Sequence, residues 1–172
     1  MGIPITLALV YMEVGRLLKI PLVGIGMPGH FLVRHVEVDD LFVDPFHGGI
    51  MLSEDECRER LRERVTGELQ WDPGFLRPVS NREILARIIR NLKVIFMNKG
   101  DFVRVLNVAE FDVSLDPHSP LNRRDRGIAH YQLGHTAKAL DDLRFYLALV
   151  PDGPDVGRVR ALVADLRSFL YD

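Results

Sequence analysis

A histidine and an aspartate, His30 and Asp44, bracket an apolar and β-branched stretch near the start of the chain. Residues 31–36 and 41–43 predict two strands, and the charged residues 37–40 predict the reversal between them. An antiparallel hairpin brings the residue that opens its first strand beside the residue that closes its second. A carboxylate in that place can hold one imidazole nitrogen and leave the other as a general base. The pattern therefore predicts two thirds of a nucleophile triad, and the third group decides the chemistry.

The surrounding residues resemble the transglutaminase-like core and, more narrowly, the SirB-type family, which couples that core to tetratricopeptide repeats. The resemblance rests on residues 2–21, 28–34 and 43–49. It implies a papain-like fold in which a cysteine begins a helix, a histidine begins the next strand pair and an aspartate ends it. Matched by spacing from Pro21, the cysteine position is occupied by Pro4, which has no nucleophilic atom. The resemblance thus carries over His30 and Asp44 but not the cysteine.

Two other residues are candidate nucleophiles. Thr6 lies near the lost cysteine position and could carry a hydroxyl toward His30, although a hydroxyl so close to a helix start commonly caps the backbone. Cys57 is the only thiol, and the acidic residues 54–56 beside it disfavour its thiolate. We therefore expect His30 and Asp44 to be a residual dyad with a structural role, and Thr6 to be the minor catalytic candidate.

Histidines in this region also raise the question of a metal site. The candidate ligands are His30, His35, Asp44 and His47. On one strand, His30 and His35 are separated by an odd number of residues and face opposite sides, which argues against a common metal. We expect no metal and no cofactor.

Composition and charge exclude several classes of protein. The chain has 172 residues, of which 47% are hydrophobic and 27% charged, as in ordinary globular proteins. A net charge of −2 gives no case for nucleic acid or an anionic membrane. One cysteine cannot form an internal disulfide, which favours a reducing, cytoplasmic setting. The apolar run at residues 3–14 has no basic leader and contains Glu13, so we predict neither a signal peptide nor a membrane span.

The N-terminal half contains further predicted elements. Helical spacing predicts a helix over residues 5–18 with almost no polar face, and residues 22–27 predict a strand. Two capping boxes, Ser53 with Glu56 and Ser80 with Glu83, predict helices over residues 54–65 and 82–98. The resemblance implies helical segments upstream of the first helix. We therefore expect a shortened chain whose first helix exposes apolar surface and promotes self-association.

The C-terminal half contains an internal repeat with an offset of 34 residues, the length of a tetratricopeptide unit. Five pairs of identical residues share that offset: Gly100 and Gly134, Leu106 and Leu140, Phe111 and Phe145, Leu115 and Leu149, Pro117 and Pro151. Gly127, Ala139 and Pro151 resemble the motif's small and helix-stopping positions, whereas the first unit has Lys93 and Val105 where small residues are expected. The predicted helices cover residues 84–98, 102–115, 124–133 and 136–150, followed by a capping helix over residues 156–170.

Together these patterns predict an α+β protein with two domains. Residues 1–80 form a degenerate transglutaminase-like domain with a small antiparallel sheet, and residues 81–172 form an all-α array of tetratricopeptide-like repeats. The predicted function is non-catalytic binding of a protein or peptide segment by the repeats. Two alternatives stay open: a cysteine-independent hydrolase or amide-transfer enzyme that uses His30 and Asp44, and a structural subunit of a larger assembly. The arginines at positions 123, 124 and 126 indicate a solvated helix end, with peptide or phosphate capture as the alternative.

Overall fold

A computed structural model describes residues 3–64 and 69–171 of the protein. Its contacts divide the chain into two compact units, Met1–Ile88 and Ile89–Asp172. The division falls inside one long helix, α3, which covers Asn81–Asn98. The domain boundary predicted between residues 80 and 81 lies at the start of this helix and stays a prediction.

The first unit is built around a small antiparallel sheet. Helix α1 (Pro4–Leu18) begins with a proline, which is favourable at a first helical position, and ends where Lys19 adopts a left-handed conformation. Four strands follow within the described residues and lie in the order β1 (Leu22–Ile25), β2 (Leu32–His35), β3 (Phe42–Asp44) and β4 (Ile50–Leu52). Helix α2 (Glu54–Arg64) comes next, and its predicted last residue, Val65, is outside the described residues.

The β2–β3 hairpin has the predicted direction and reversal. Val33 pairs with Val43, so His30 just before β2 and Asp44 at the end of β3 lie at the same end of the sheet. The sequence patterns predict no strand after Asp44. Gly48 and Gly49 adopt a positive φ and return the chain so that β4 pairs with β3.

Apolar side chains form two buried clusters in this unit. One cluster joins α1 to the sheet and to the start of α3 through Ile5, Ala8, Phe31, Val33 and Ile84. The other contains residues of the strands, α2 and the loop before α3: Ile25, Met27, Leu32, Phe42, Leu52, Cys57 and Leu76. Only one face of α1 is covered within the described residues of this unit, because Val10, Val14 and Leu17 are exposed.

Both predicted capping boxes are confirmed. The Ser53 backbone N–H donates to Glu56 at 2.7 Å, and the Glu56 N–H donates to the Ser53 hydroxyl at 3.3 Å. Ser80 and Glu83 repeat the arrangement, with distances of 2.8 and 3.3 Å. Hydrogen bonds from Ser80 and from Arg77 lower the pKa of Glu83 to about 2. These reciprocal bonds explain why α2 and α3 begin where they do.

The second unit consists of helices within its described residues. After the end of α3 come α4 (Phe102–Leu115), α5 (Pro120–Gln132), α6 (Thr136–Leu149) and α7 (Val156–Tyr171). Four of the five predicted helix positions in the repeat region match to within three residues. Helix α5 starts four residues earlier than predicted, because Ser119 accepts a hydrogen bond from the Asn122 N–H and Pro120 occupies the first helical position.

The two repeats differ at the position where a glycine is expected. A Cβ atom added at Gly127 would lie 2.8 Å from Leu143 Cδ2, so glycine is what lets α5 and α6 approach closely. In the first repeat this position is Lys93, which is buried and places its Nζ 2.8 Å from Asp112 and 2.6 Å from Asp125. Burial alone would lower the pKa of Lys93, but the hydrogen bonds that its ammonium group donates to the two carboxylates raise it above its usual value. An ion pair therefore replaces close helix packing in the first repeat.

The capping helix α7 packs as predicted. Val159, Val163 and Leu166 are buried in a cluster with residues of α6, and Leu162 is partly buried against it. In the part of the chain that the structure describes, no helix has the length and apolar composition needed to cross a bilayer.

Candidate functional site

Asp44 is the centre of a buried polar cluster. Its Oδ2 atom lies 2.8 Å from Nε2 of His30 and 2.7 Å from Nδ1 of His47. The side chains of His30 and Asp44 are inaccessible to solvent, whereas that of His47 is partly exposed. The structure thus brings together the histidine and aspartate that the sequence singled out, and it adds a second histidine.

A short 3₁₀ helix, Pro45–His47, explains how His47 reaches the cluster. Asp44 caps this turn, and its Oδ1 atom accepts hydrogen bonds from the N–H groups of Phe46 and His47 at 3.1 and 3.2 Å. The Asp44 carbonyl accepts a further bond from the Gly49 N–H at 2.8 Å. The backbone therefore fixes Oδ1, which leaves Oδ2 directed at the two imidazoles.

Arg60 adds a permanent positive charge from α2. Its Nη1 atom lies 3.2 Å from Asp44 Oδ2. Burial alone would raise the pKa of Asp44, but hydrogen bonds from His47 and His30, together with their charge, lower it below its usual value. Asp44 is therefore an ionised carboxylate near neutral pH, even though it is fully buried.

The backbone at His30 is held by Arg87 of α3. The Arg87 guanidinium donates to the carbonyl oxygens of His30 and Met27 at 2.7 and 2.9 Å, and it lies 5.4 Å from the ring centroid of Phe31. The rings of His30 and His47 are 5.4 Å apart. Arg87 thus fixes the chain segment that presents His30 to Asp44.

The candidate nucleophiles have other environments. Pro4 is the first residue of α1. The Thr6 hydroxyl donates to the Ile3 carbonyl at 2.8 Å and accepts from the Ile3 N–H at 3.1 Å, which is local capping. Cys57 is fully buried, and desolvation raises the pKa of its thiol to about 12. A thiol with that pKa is protonated at neutral pH and is a poor nucleophile.

Known proteins match both units. A family model described as the transglutaminase-like superfamily matches residues 1–90, and one described as the tetratricopeptide repeat matches residues 92–164. Protein SirB1 of Salmonella typhimurium is 24% identical over 164 residues, covering 94% of this chain and 61% of SirB1. This chain belongs to the transglutaminase-like superfamily and to its SirB-type family. The fold and the family implied by the sequence are confirmed.

Relatives with higher identity carry the name UPF0162 protein. One from Xylella fastidiosa strain Temecula1 is 44% identical over 171 residues, and one from Pseudomonas aeruginosa is 33% identical over 165 residues. Each comparison covers 96% of this chain and 60% of the relative. The chain therefore spans about 60% of the length of the curated relatives it matches. Among solved structures, the C-terminal TPR-containing domain of a Plasmodium falciparum FK506-binding protein matches with a TM-score of 0.48 and 15% identity, over 67% of this chain and 77% of that chain.

Sequence reasoning missed two arginines that contact this polar cluster. Arg60 follows the buried Cys57 by one helical turn, and Arg87 lies between Ile84 and Ile88 on the packed face of α3. A cation within an apolar stripe indicates a nearby acceptor, because burying an unpaired charge is costly. That signal could have predicted polar contacts for both arginines, although it could not have identified Asp44 or the His30 carbonyl as the acceptor.

A second polar site lies in the repeat unit. A cleft of about 260 Å³ between α4, α5 and α6 is lined by seven polar side chains: Glu110, Arg123, Arg126, His130, Lys138, Asp141 and Asp142. Arg126 makes two hydrogen bonds to the buried Asp142, at 2.6 and 2.8 Å, and Arg123 makes a third at 2.9 Å. Arg124 points to other partners, with distances of 2.6 Å to Asp125 and 2.5 Å to Asp155. The predicted arginine cluster therefore makes structural ion pairs.

Proposed function

We propose that this protein is a non-catalytic binding module whose tetratricopeptide unit captures a segment of another protein. The observation that carries the proposal is the charged cleft between α4, α5 and α6. Tetratricopeptide arrays bind protein segments on their helical surfaces, so a cleft between three of the helices is a suitable binding site for such a segment. The transglutaminase-like unit, in this proposal, braces the array or holds a second ligand.

The chemistry of the cleft favours a partner segment of mixed charge. Arg123 and Arg126 share one carboxylate, that of Asp142, whereas Lys138 and Asp141 are exposed on α6, one helical turn apart. An exposed cation beside an exposed anion matches a peptide that carries both signs. The net charge of −2 favours a protein over nucleic acid or an anionic membrane, and the single cysteine agrees with a cytoplasmic setting.

Charge reversal in the cleft tests this proposal. The probe is an array of ten-residue peptides that combine acidic and basic residues in different orders, and the readout is affinity for the purified chain. Lys138→Glu should weaken the best binders by about tenfold or more through like-charge repulsion. Arg144→Glu is the matched control, because Arg144 is exposed on the same helix and does not line the cleft. Equal losses in both variants, or no loss in either, would contradict the proposal.

A hydrolase that uses His30 and Asp44 is the second candidate. Its support is the 2.8 Å distance between His30 Nε2 and Asp44 Oδ2 in a buried site. Asp44 Oδ2 also lies near His47 and Arg60, and the Thr6 hydroxyl is bonded to Ile3, which makes a structural role the better supported one. Amide or ester hydrolysis that persists with thiol reagents and disappears in His30→Ala would favour the hydrolase.

Self-association through α1 is a third proposal, and it would make the protein a structural subunit. Val10 is 57% and Leu17 is 71% exposed, and with Val14 they form an apolar face on α1. Leu17→Glu should shift the mass in analytical ultracentrifugation from dimer to monomer, whereas Glu13→Gln should not. A monomeric wild-type chain at high concentration would remove this proposal.

A further inference from the structure

We propose that His30, Asp44 and His47 form a binding site for a first-row divalent transition-metal ion of the zinc type. One ligand atom from each residue, namely Nε2 of His30, an Asp44 carboxylate oxygen and Nδ1 of His47, lies within 4.8 Å of the other two. Two imidazole nitrogens and a carboxylate oxygen are a ligand set that zinc and its neighbours accept, and three protein ligands leave a coordination position open. This inference is independent of peptide binding by the repeat unit.

The distances are those of a compact, hydrogen-bonded form of such a site. The two nitrogens lie 2.8 and 2.7 Å from Asp44 Oδ2. Around a tetrahedral ion with bonds of about 2.0–2.2 Å, ligand atoms are roughly 3.4 Å apart. Each nitrogen–oxygen distance therefore has to open by about 0.6 Å. The partly exposed His47 side chain can rotate to open its distance to Asp44 Oδ2.

The surroundings hold the ligands as a metal site requires. Asp44 Oδ1 is occupied by the N–H groups of Phe46 and His47, so Oδ2 is the atom presented to an ion. Arg87 fixes the backbone of His30 through its carbonyl. Such supporting contacts orient metal ligands and add to their affinity.

Arg60 is the group with which an ion would compete. Its guanidinium lies 3.2 Å from Asp44 Oδ2 and neutralises the carboxylate. Arg60 is 26% exposed and lines a cleft of about 440 Å³ together with His47, Glu56 and Glu63. Glu56 and Glu63 lie one turn away on the same helix, so Arg60 can turn toward them when an ion takes its place. The same cleft gives the ion a path to His47, whose side chain is 36% exposed.

The sequence argument against a metal concerned a different histidine. His35 lies outside the cluster, and its Nδ1 atom accepts a hydrogen bond from the Glu37 N–H at 3.2 Å. The second imidazole comes instead from His47, which the capped turn after Asp44 brings back to the site. Because His47 lies on the turn after β3, the strand-parity argument does not apply to it.

Titration of the metal-free, full 172-residue chain with Co²⁺ tests the proposal. We expect one ion per chain, with visible ligand-field absorption typical of low coordination, and displacement by Zn²⁺ in calorimetry. Asp44→Asn and His47→Gln should each lower the affinity by more than about tenfold. Arg60→Gln should raise it by roughly tenfold because a competing cation is removed.

Two control variants and a folding check keep the test decisive. Arg62→Gln removes an exposed arginine of the same helix that pairs with Glu59, and His35→Gln removes a histidine outside the cluster; neither should change the affinity. Circular dichroism establishes that each variant is folded. Absence of binding by both the wild type and Arg60→Gln would overturn the proposal. Binding that is unchanged in Asp44→Asn would also overturn it, because the ion would then be elsewhere on the surface.

Discussion

Both compact units contain buried aspartates, and two of these, Asp44 and Asp142, differ in their partners. Asp44 of the first unit contacts two imidazoles and one guanidinium, whereas Asp142 of the second contacts the guanidiniums of Arg123 and Arg126. Burial alone would raise both pKa values, but hydrogen bonds from these partners lower them. Guanidinium groups stay charged, whereas imidazoles can change protonation or bind a metal. The ion pairs of Asp142 therefore persist at any ordinary pH, whereas the imidazole partners of Asp44 can change their protonation or bind a metal ion.

Removing the carboxylate at Asp142 should have the largest effect on stability. In Asp142→Asn, two partly buried arginines lose their partner, which should cost about 3 kcal/mol of the free energy of unfolding. Urea unfolding followed by circular dichroism measures the change. Asp141→Asn is the control, because Asp141 is exposed on the same helix. A cost below about 1 kcal/mol would show that the ion pairs of Asp142 stabilise the fold no more than an exposed salt bridge does.

Removing the carboxylate at Asp44 should cost less. We expect about 1–3 kcal/mol for Asp44→Asn, because the asparagine keeps some hydrogen bonds and the imidazoles can become neutral. The lowered pKa of Asp44 means that its contribution is full above the unfolded-state pKa of about 3.9 and is lost as the pH falls through the folded value. The contribution of this carboxylate to the difference between wild type and variant should therefore shrink below about pH 4. A larger cost than that of Asp142→Asn would reverse the comparison.

Close packing in the second unit can be tested separately from charge. Gly127→Ala places a Cβ 2.8 Å from Leu143 Cδ2, and the strain should cost about 1–2 kcal/mol after the higher helix propensity of alanine is included. Gly157→Ala in α7 is the matched control, because a Cβ there meets nothing within 4 Å. The control should be neutral or slightly stabilising in thermal unfolding. Equal behaviour of the two variants would mean that the helices adjust without strain.

Local patterns predicted most of the fold, and contacts between distant segments account for what they missed. The hairpin and the adjacency of His30 and Asp44 follow from two short β-branched runs and the charged reversal between them. The start of α5 could also have been predicted from the sequence, since Ser119 is a helix-capping residue and the proline that follows it favours a first helical position. The contacts of Arg60 and Arg87 could not be predicted in this way, because their acceptors lie 16 and 57 residues away in the chain. The ion pairs of Lys93 could not be predicted either, since its partners Asp112 and Asp125 are on other helices.

Glu83 is a partly exposed carboxylate that serves as a reference for Asp44 and Asp142, and it has the smallest expected effect. Its pKa of about 2 results from hydrogen bonds with Ser80 and Arg77 at a helix start, without burial. Because the pKa of Glu83 is lowered in the folded state, its contribution to the free energy of unfolding is full above the unfolded-state pKa of about 4.3. This contribution is lost as the pH falls toward 2. Glu83→Gln should therefore be less stable than wild type at pH 6 and equal to it near pH 2, as followed by thermal unfolding. Because the Glu83 side chain is 40% exposed and that of Asp44 is inaccessible, 0.5 M salt should reduce the effect of Glu83→Gln more than that of Asp44→Asn. Equal salt sensitivity of the two variants would mean that burial does not protect the Asp44 cluster, and the distinction between capped and buried carboxylates would fail.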